Sequence, residues 1–443
     1  MDLNAIYLRC RFWTIDFLKG SPIGKPYKEV KYIQEHSFQK GQHIREKALH
    51  HMLEFAAANS PFYHSLGTNL SDYPVMNKAK IMDNYEKIRV EEHLIPGQKG
   101  KVHIQPTSGS TGTTLKIAQD TNKRLRRIAE LKYFGKIVGF KTHDKLIHLR
   151  TWSTWIKKTA QQIKTENIIP FDISTLDDAR LKELCELAIS SKAICLRGYA
   201  SSLGQIAQYA LKNGYQFPHL KIAISGSESL LDGTRKLFKR VMKCEIISQY
   251  ADEECGILAQ ERIPTKQTDN PMYLNWASYF FEFLKMDSDE PAEFGELARI
   301  VITDLHNYAF PLIRYDCGDV AVIGKPDEYS NGYPIIEKLY GRRADITYST
   351  SGAPIYLVTY GAIMEHFIEN YHGILQWQFV QNGEKDYTLK VVLAKDHNVV
   401  LSDVVSQIKE NIGNDATVNV EQLDDIPVLA SRKRKAVVNN WKK

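Results

Sequence analysis

Cysteine patterns that would indicate disulfides or a zinc site are missing from this sequence. The chain of 443 residues contains six cysteines, with no C-x-x-C pair and no adjacent cluster of histidines. Scattered thiols of this kind are typical of proteins that stay reduced in the cytosol. We therefore expect a cytoplasmic protein without a disulfide framework. The cysteines are Cys10, Cys185, Cys195, Cys244, Cys255 and Cys317.

Long apolar runs are missing as well. No stretch offers the roughly eighteen uncharged apolar residues that a membrane helix requires. Charged residues also interrupt the apolar part of the N-terminal segment "MDLNAIYLRCRFWTIDFLKGSP", which argues against a signal peptide. We expect neither a signal peptide nor a transmembrane segment.

A strong charge of one sign is absent. Lysine and arginine number 58 against 52 aspartate and glutamate residues, which gives a formal net charge of +6 at pH 7. So small an excess on a chain of this length does not indicate a nucleic-acid partner. The hydrophobic fraction of 43% is typical of globular proteins. Because the length exceeds what one hydrophobic core usually holds, we expect two domains.

Helical patterns fill the N-terminal part, over residues 29–58 and again after Asn77, which is a good N-cap residue. Apolar strand-like runs then alternate with helical ones, beginning with "KLIHLRTW", "DDARLKELCELAISS" and "AICLRGY" and ending with "CEIISQY". This alternation predicts a parallel sheet covered by helices. Ligands of such sheets bind beyond the carboxyl ends of the strands.

Short β-like segments follow over residues 273–323, and the region beyond Arg343 has its own mixture of helical and strand patterns. We predict an α/β fold with two domains. The large N-terminal domain, residues 1–342, contains parallel-type sheets covered by helices plus a β-rich part. The small C-terminal domain, residues 343–443, is of the α+β type.

The segment "PTSGSTGTTLK", residues 106–116, combines small residues, hydroxyls and a lysine. Backbone N–H groups of such a loop can surround an anion, and the lysine can offset its charge, so phosphate is the first candidate ligand. An ordinary connecting loop is the alternative reading. The spacing does not match G-x-x-x-x-G-K-[ST], which argues against a P-loop NTPase.

Four further polar segments follow this loop: "SGSES" at 225–229, "YADEE" at 250–254, "RYDCGD" at 314–319 and "YGRRAD" at 340–345. The ordered series resembles the adenylate-forming (acyl-AMP-forming) superfamily, and within it the phenylacetate-CoA ligase and CapK-like polysaccharide-biosynthesis group. The resemblance covers nearly the whole chain, including "SPFYHSLG", "YPVMNKAKI" and "LRGYASSL". It implies a small C-terminal domain that is mobile.

The resemblance assigns the small-residue loop to the β- and γ-phosphates of ATP, with Lys116 at its end. A solvated lysine is the alternative for Lys116. The loop residues are Thr107, Ser108, Gly109, Ser110, Thr111, Gly112 and Thr113.

By the same resemblance, Glu254 would hold Mg²⁺, a cation suited to carboxylate oxygens. Tyr250 would lie against the adenine, and Ser227 with Glu228 would line the nucleobase pocket. The chain departs from the family at Ala251, where glycine is usual. The acidic residues after it also fit a charged helix start, which is the alternative reading.

The resemblance assigns Asp319 to the ribose hydroxyls and Arg342 to phosphate or ribose. At the hinge that follows, Ala344 stands where the family usually has an acid, and Asp345 comes next. Asp316 replaces a commonly basic residue and receives no role.

The basic segment "SRKRK", residues 431–435, aligns Lys433 with the family's catalytic lysine and Lys435 with an arginine. Arg432 replaces the family's glycine. A solvated basic tail is the alternative reading, and the usual one for such runs.

These roles together imply ATP-dependent activation of a small carboxylic acid as an acyl adenylate, with release of pyrophosphate. The acyl group would then pass to coenzyme A or to a sugar or amine acceptor, in capsular or surface polysaccharide biosynthesis. Trp152, Trp155 and Tyr199 are candidates for the floor of the acyl pocket, although aromatic residues are more often plain core. Two alternatives stay open, an adenylyl transferase of the F390-synthetase type and a degenerate nucleotide-binding protein.

Overall fold

The computed structural model describes residues 2–106, 115–152, 158–263, 270–371, 373–427 and 435–441. No helix within these ranges is long and apolar enough to cross a membrane. The described helices are α1 (Leu3–Leu18), α2 (Gly24–Glu35), α3 (Phe38–Asn59), α4 (Lys78–Asp83), α5 (Tyr85–Ile88), α6 (Thr121–Ile137), α7 (Ala160–Glu166), α8 (Asp178–Ser190), α9 (Ala200–Asn213), α10 (Asp232–Leu237), α11 (Leu357–Asn370) and α12 (Leu401–Ile412).

The strands form one large sheet, one smaller sheet and two short hairpins. The strands are β1 (His103–Pro106), β2 (Lys116–Gln119), β3 (Leu146–Arg150), β4 (Ile168–Asp172), β5 (Cys195–Tyr199), β6 (Ile222–Gly226), β7 (Glu245–Ala251), β8 (Ile257–Glu261), β9 (Met272–Leu274), β10 (Tyr279–Leu284), β11 (Leu297–Asp304), β12 (Tyr315–Gly324), β13 (Ile335–Arg342), β14 (Thr347–Tyr348), β15 (Pro354–Ile355), β16 (Ile374–Gln381), β17 (Asp386–Leu393), β18 (Thr417–Gln422) and β19 (Val437–Asn439).

The large sheet has eleven strands in the order β10-β11-β12-β13-β9-β8-β7-β6-β5-β3-β4. Strands β4, β3, β5, β6 and β7 are parallel, as the alternating pattern predicts, and every pairing from β7 through β8 to β10 is antiparallel. The α/β fold class is therefore confirmed. Because parallel strands end at the same edge, the carboxyl ends of five strands meet there.

The parallel strands are buried on both faces. Ile147, Leu196 and Ala223 belong to the core that α8 and α9 cover, whereas Leu146 and Cys195 pack with Val138 at the end of α6. Burial on two sides explains why these strands are mostly apolar in sequence, with His148 in β3 and Arg197 in β5 as exceptions. The polar residues at their ends therefore mark the edge of the core.

Residues 347–441 contain a second sheet of four strands in the order β18-β17-β16-β19. Strands β16 and β17 form an antiparallel hairpin, and α11 and α12 contribute to a separate core with them. The backbone N–H of Gly233, at α10, donates to Glu365 of α11 at 2.7 Å. The domain boundary at residues 342 and 343 stays a prediction.

The helical pattern expected over residues 29–58 is confirmed, and the structure divides it between two helices, α2 and α3. Helix α2 ends at Glu35, and the backbone of His36 is extended. The N–H of Phe38 donates to the carbonyl of Asn331 at 2.8 Å, so a distant loop takes the hydrogen bond that would have continued the helix. The N-cap at Asn77 is confirmed, since its side chain accepts from the N–H of Lys80.

A buried ion pair joins α6 to the antiparallel half of the sheet. Lys123 Nζ lies 2.5 Å from Asp304 Oδ2, and both residues are completely buried. The ammonium also donates to the hydroxyl of Tyr279 at 3.1 Å, and that hydroxyl donates to the carbonyl of Cys255 at 2.8 Å. The pair therefore holds the turn between β7 and β8 in place through one tyrosine.

Removing the ammonium alone should be costly, because Asp304 would remain buried without its counter-ion. We expect Lys123→Met to lower the free energy of unfolding by about 3–5 kcal/mol, measured by urea denaturation. The double variant Lys123→Met/Asp304→Leu should recover part of that loss. A single variant as stable as the wild type would contradict the structural role of the pair.

Candidate active site

Three residues that the resemblance singles out meet at the carboxyl edge of the large sheet. Asp319 and Arg342 are cross-strand partners on β12 and β13, so their side chains share a face. Arg342 Nε lies 3.4 Å from Asp319 Oδ1, and the Tyr250 hydroxyl donates to Asp319 Oδ2 at 2.6 Å. The carboxylate therefore has a donor at each of its oxygens.

The electrostatics of this cluster keep Tyr250 neutral and Arg342 charged. Burial, and next the charge of Asp319, raise the pKa of Tyr250 well above its usual value. Burial opposes the charge of Arg342, yet Asp319 raises the pKa of the guanidinium overall. A pair of neighbouring hydroxyls, such as a ribose diol, could replace the two donors at Asp319.

Asp252 shapes the turn that presents Glu254. Its Oδ1 accepts from the N–H of Cys255 at 2.6 Å and from the N–H of Gly256 at 3.2 Å. Gly256 has φ +125°, in the region that favours glycine. The sequence "ADEE" is therefore a tight turn between two strands, and the alternative reading of these acids as a helix start is wrong.

The positive charges near Asp252 and Glu254 do not fully offset the burial of these two carboxylates. Burial, followed by the neighbouring Glu254, raises the pKa of Asp252 to about 7. Burial also raises the pKa of Glu254, against the opposing effect of Arg342 and Lys78. Within the part of the chain that the structure describes, Asp252 Oδ2 is buried without a hydrogen-bond partner. A divalent cation would supply the missing positive charge.

The residues present fit an Mg²⁺ ion that is coordinated partly by the protein and partly by substrate phosphates, and not one coordinated by protein side chains alone. No group of three or more histidine, cysteine, aspartate or glutamate side chains able to hold a metal occurs in the described ranges. Mg²⁺ is commonly bound by one or two carboxylates together with substrate phosphates and water. Glu254 stays the predicted ligand, with Asp252 beside it.

Ser227 and Glu228 follow β6 directly. Ser227 has φ +68°, a conformation that is uncommon for a residue other than glycine. The carboxylate of Glu228 accepts from the N–H of Ser201 at 2.9 Å, in the first turn of α9. Its described role is therefore to satisfy a helix N-terminus, and its contact with a nucleobase stays a prediction.

Lys116 pairs with Pro106 across the hairpin of β1 and β2 and is exposed. Beside the hairpin, Gln105 Nε2 donates to Glu253 Oε2 at 3.0 Å, so the small-residue loop begins and ends next to the turn of Glu254. The loop residues themselves, Thr107, Ser108, Gly109, Ser110, Thr111, Gly112 and Thr113, lie outside the described residues. So do Trp155, Arg432 and Lys433.

Ion pairs also surround the end of β13. Lys435 Nζ lies 2.5 Å from Asp345 Oδ1, and Arg343 Nη2 lies 3.6 Å from Asp316 Oδ2. Asp316 pairs with Arg299 as well, at 3.0 Å. Asp316, which received no role from the sequence, is thus a buried counter-ion.

Three basic residues near these groups were not predicted from the sequence as site residues. Lys78 lies close enough to Glu254 that each charge shifts the pKa of the other residue, and the charge of Arg342 lowers the pKa of Lys78. Arg150 ends β3, and Arg197 lies within β5. A charged residue inside an otherwise apolar strand was the available signal for the two arginines, whereas Lys78 offered none beyond its place in "YPVMNKAKI".

Comparison with known proteins supports the resemblance read from the sequence. Residues 351–440 match the family model of the CapK C-terminal domain. The chain is 22% identical to Protein CapK of Staphylococcus aureus over 450 residues, which cover 96% of this chain and 95% of that protein.

Solved structures of 2-hydroxyisobutyryl-CoA ligase are similar to this chain. Its complex with 2-HIB-AMP in the postadenylation state superposes with a TM-score of 0.73 at 13% identity, covering 92% of this chain and 91% of that one. Its complex with 2-HIB-AMP and CoA in the thioesterification state gives 0.58 at 14% identity, covering 93% and 92%. The C-terminal part of the chain thus matches the model of the CapK C-terminal domain, and the chain has the fold of 2-hydroxyisobutyryl-CoA ligase.

Proposed function

We propose that this protein activates a carboxylic acid with ATP and Mg²⁺. A carboxylate oxygen of the acid attacks the α-phosphorus of ATP, the bond to the β-phosphate oxygen breaks, and pyrophosphate leaves with its electron pair. The product is an acyl adenylate. The observation that carries this proposal is the meeting of Asp319, Tyr250 and Arg342 beside the turn of Glu254.

Each residue has a task in that reaction. Asp319 accepts hydrogen bonds from the ribose hydroxyls, and Tyr250 packs against the base. Arg342 lies where it can neutralise phosphoryl charge, and Mg²⁺ at Glu254 would supply further positive charge to the phosphates. The loop of residues 107–113, Lys116 and Lys433 complete the phosphate contacts in this proposal.

We propose that the acyl group then moves to coenzyme A or to a sugar or amine acceptor, in capsular or surface polysaccharide biosynthesis. The bound 2-HIB-AMP and CoA of the structurally similar ligase support the thioester route. The similarity to CapK supports the polysaccharide setting. We place the reaction in the cytoplasm, where ATP is available and the six free cysteines stay reduced.

Ala251, Ala344 and Arg432 depart from the family pattern, and this favours a second candidate. In it, the chain binds nucleotide but does not turn it over. A third candidate, adenylyl transfer, also releases pyrophosphate but leaves AMP on its product. The experiments below separate these candidates.

Incubation with ATP, Mg²⁺, hydroxylamine and a panel of aryl, short-chain, hydroxy and amino acids should release pyrophosphate and form a hydroxamate. Glu254→Gln should raise the Mg²⁺ concentration for half-maximal release by about tenfold or more, the value of one charge-assisted contact of about 1.5–3 kcal/mol. ATP binding without pyrophosphate release would favour the second candidate. Pyrophosphate release that yields a stable AMP-linked product in place of hydroxamate would favour adenylyl transfer.

Asp319→Asn should weaken ATP binding about 10- to 150-fold, because a charged acceptor for the ribose becomes neutral. Isothermal titration calorimetry gives the affinity, and Asp415→Asn, an exposed carboxylate paired with Lys385, is the matched control. Equal affinities in both variants would show that Asp319 does not hold the nucleotide.

Lys433→Met should reduce adenylate formation by about 100-fold or more while ATP affinity changes little, since its charge is needed mainly as phosphoryl charge develops. Arg434→Met, in the same basic segment, is the control and should keep its rate. Unchanged turnover in Lys433→Met would show that the segment is a solvated basic tail with no role in catalysis.

A further inference from the structure

Four parallel strands present one continuous face to the end of α6. The registers of β3, β5, β6 and β7 align their residues in rows across this face. At its base Leu146, Cys195 and Ile222 pack against Val138, and the residue of β7 in this row is Glu245. The two rows nearest the carboxyl edge are His148, Arg197, Ile224 and Ile247, and then Arg150, Tyr199, Gly226 and Gln249.

Arg197 lies on this face with a neutral partner. Its Nη2 donates to the side-chain carbonyl of Gln249. Burial lowers the pKa of Arg197, and the charge of Arg150 lowers it further. Among the described side chains no carboxylate lies within ion-pair distance of Arg197.

The neighbours of Arg197 do not cancel its charge. Arg150 Nη2 lies 3.3 Å from Glu253 Oε1, so that arginine already has a carboxylate. His148 is neutral, because burial and then the charge of Arg197 lower its pKa to about 3. Two further carboxylates share the rows of this face, Asp172 beside Arg150 on β4 and Glu245 on β7, and among the described residues neither lies within ion-pair distance of Arg197. Arg197 is half-buried, and a guanidinium partly removed from water without a counter-ion is costly, so an anionic ligand would offset that cost.

A second donor on this face also lacks an acceptor. Trp152, after β3, packs edge-on to His148 with the ring centroids 5.4 Å apart, and in the described part of the chain its buried Nε1 has no hydrogen-bond partner. Gly226 lies between Tyr199 and Gln249 in the outer row, so β6 contributes no side chain to that row. A Cβ added at Gly226 would approach only the Gln249 carbonyl oxygen, at 3.5 Å.

Arg197 lies deeper in the sheet than the position at which the carboxylate of the substrate acid would react. Arg197 lies two residues before the end of β5, about 6.6 Å below the strand end. Glu254 and Arg342 lie beyond the strand ends, where the phosphates belong in the proposed reaction. An acid whose reacting carboxylate lies at that edge therefore extends its other end toward Arg197.

We propose that the acid is a dicarboxylate, and that its second carboxylate binds Arg197 and Arg150 on this face. The inference rests on the proposed acid activation and specifies its substrate class. A planar guanidinium donates two parallel hydrogen bonds to a carboxylate, and Trp152 Nε1 offers a third donor. The aromatic floor expected from Trp152 and Tyr199 becomes, in this proposal, the wall of an anion pocket.

The test compares acids that differ only at the far end. Exchange of pyrophosphate into ATP is measured with glutarate against valerate and with adipate against hexanoate, and the monomethyl esters of the two diacids serve as neutral isosteres. We expect kcat/KM to favour the diacids about 10- to 100-fold, the value of a charge-assisted contact.

Arg197→Met should reduce this preference toward one while the KM for ATP stays the same. Arg150→Met, which keeps the bond between Arg197 and Gln249, should reduce it less. Arg9→Met is the control, since Arg9 pairs with Asp144 ahead of β3 at the opposite edge of the sheet. The preference compares two acids on one preparation, so a loss of folded protein does not alter it.

Four results would overturn the inference. Wild-type preference for the monoacids or the esters would exclude a dicarboxylate while leaving acid activation intact. A preference unchanged in Arg197→Met would exclude this face as the anion pocket, and a raised KM for ATP with every acid would assign Arg197 to the nucleotide. Absence of exchange with every acid, diacid and monoacid alike, would reject the proposed function together with the inference.

Discussion

The buried pair of Lys123 and Asp304 is the constraint on which the candidate site depends. Neither charge tolerates the interior without the other, so α6 and β11 have to assemble together. Tyr279 transmits this constraint to the carbonyl of Cys255, next to Glu254. The turn that presents the predicted Mg²⁺ ligand is thus fixed by charges on elements far from it in sequence.

Local signals in the sequence were sufficient for the elements and for the fold class. Asn77 has the residue type of an N-cap, and the apolar runs of the middle region have the length of buried strands. These features depend on neighbouring residues alone. The break at His36 was not predictable in this way, because the competing hydrogen bond comes from Asn331.

The site was only partly predictable for the same reason. Asp319, Tyr250 and Arg342 occur in short segments whose order could be compared with a family. Their mutual hydrogen bonds depend on the pairing of β12 with β13, which local patterns do not specify. Arg197 looked like an ordinary strand residue, and its importance becomes visible only when the register places it beside His148 and near Gln249.

The ion pairs around β13 connect the nucleotide site at Asp319 with the direction that the chain takes after β13. A ribose that takes both oxygens of Asp319 competes with Arg342, the last residue of β13, and the next residue, Arg343, is paired with Asp316. Lys435, close to the C-terminal strand β19, is attached to the same turn through Asp345. If the nucleotide binds Asp319 as proposed, its affinity is thermodynamically linked to the direction of the chain after β13. A chain direction that the bound nucleotide stabilises then raises the affinity for the nucleotide by the same free energy.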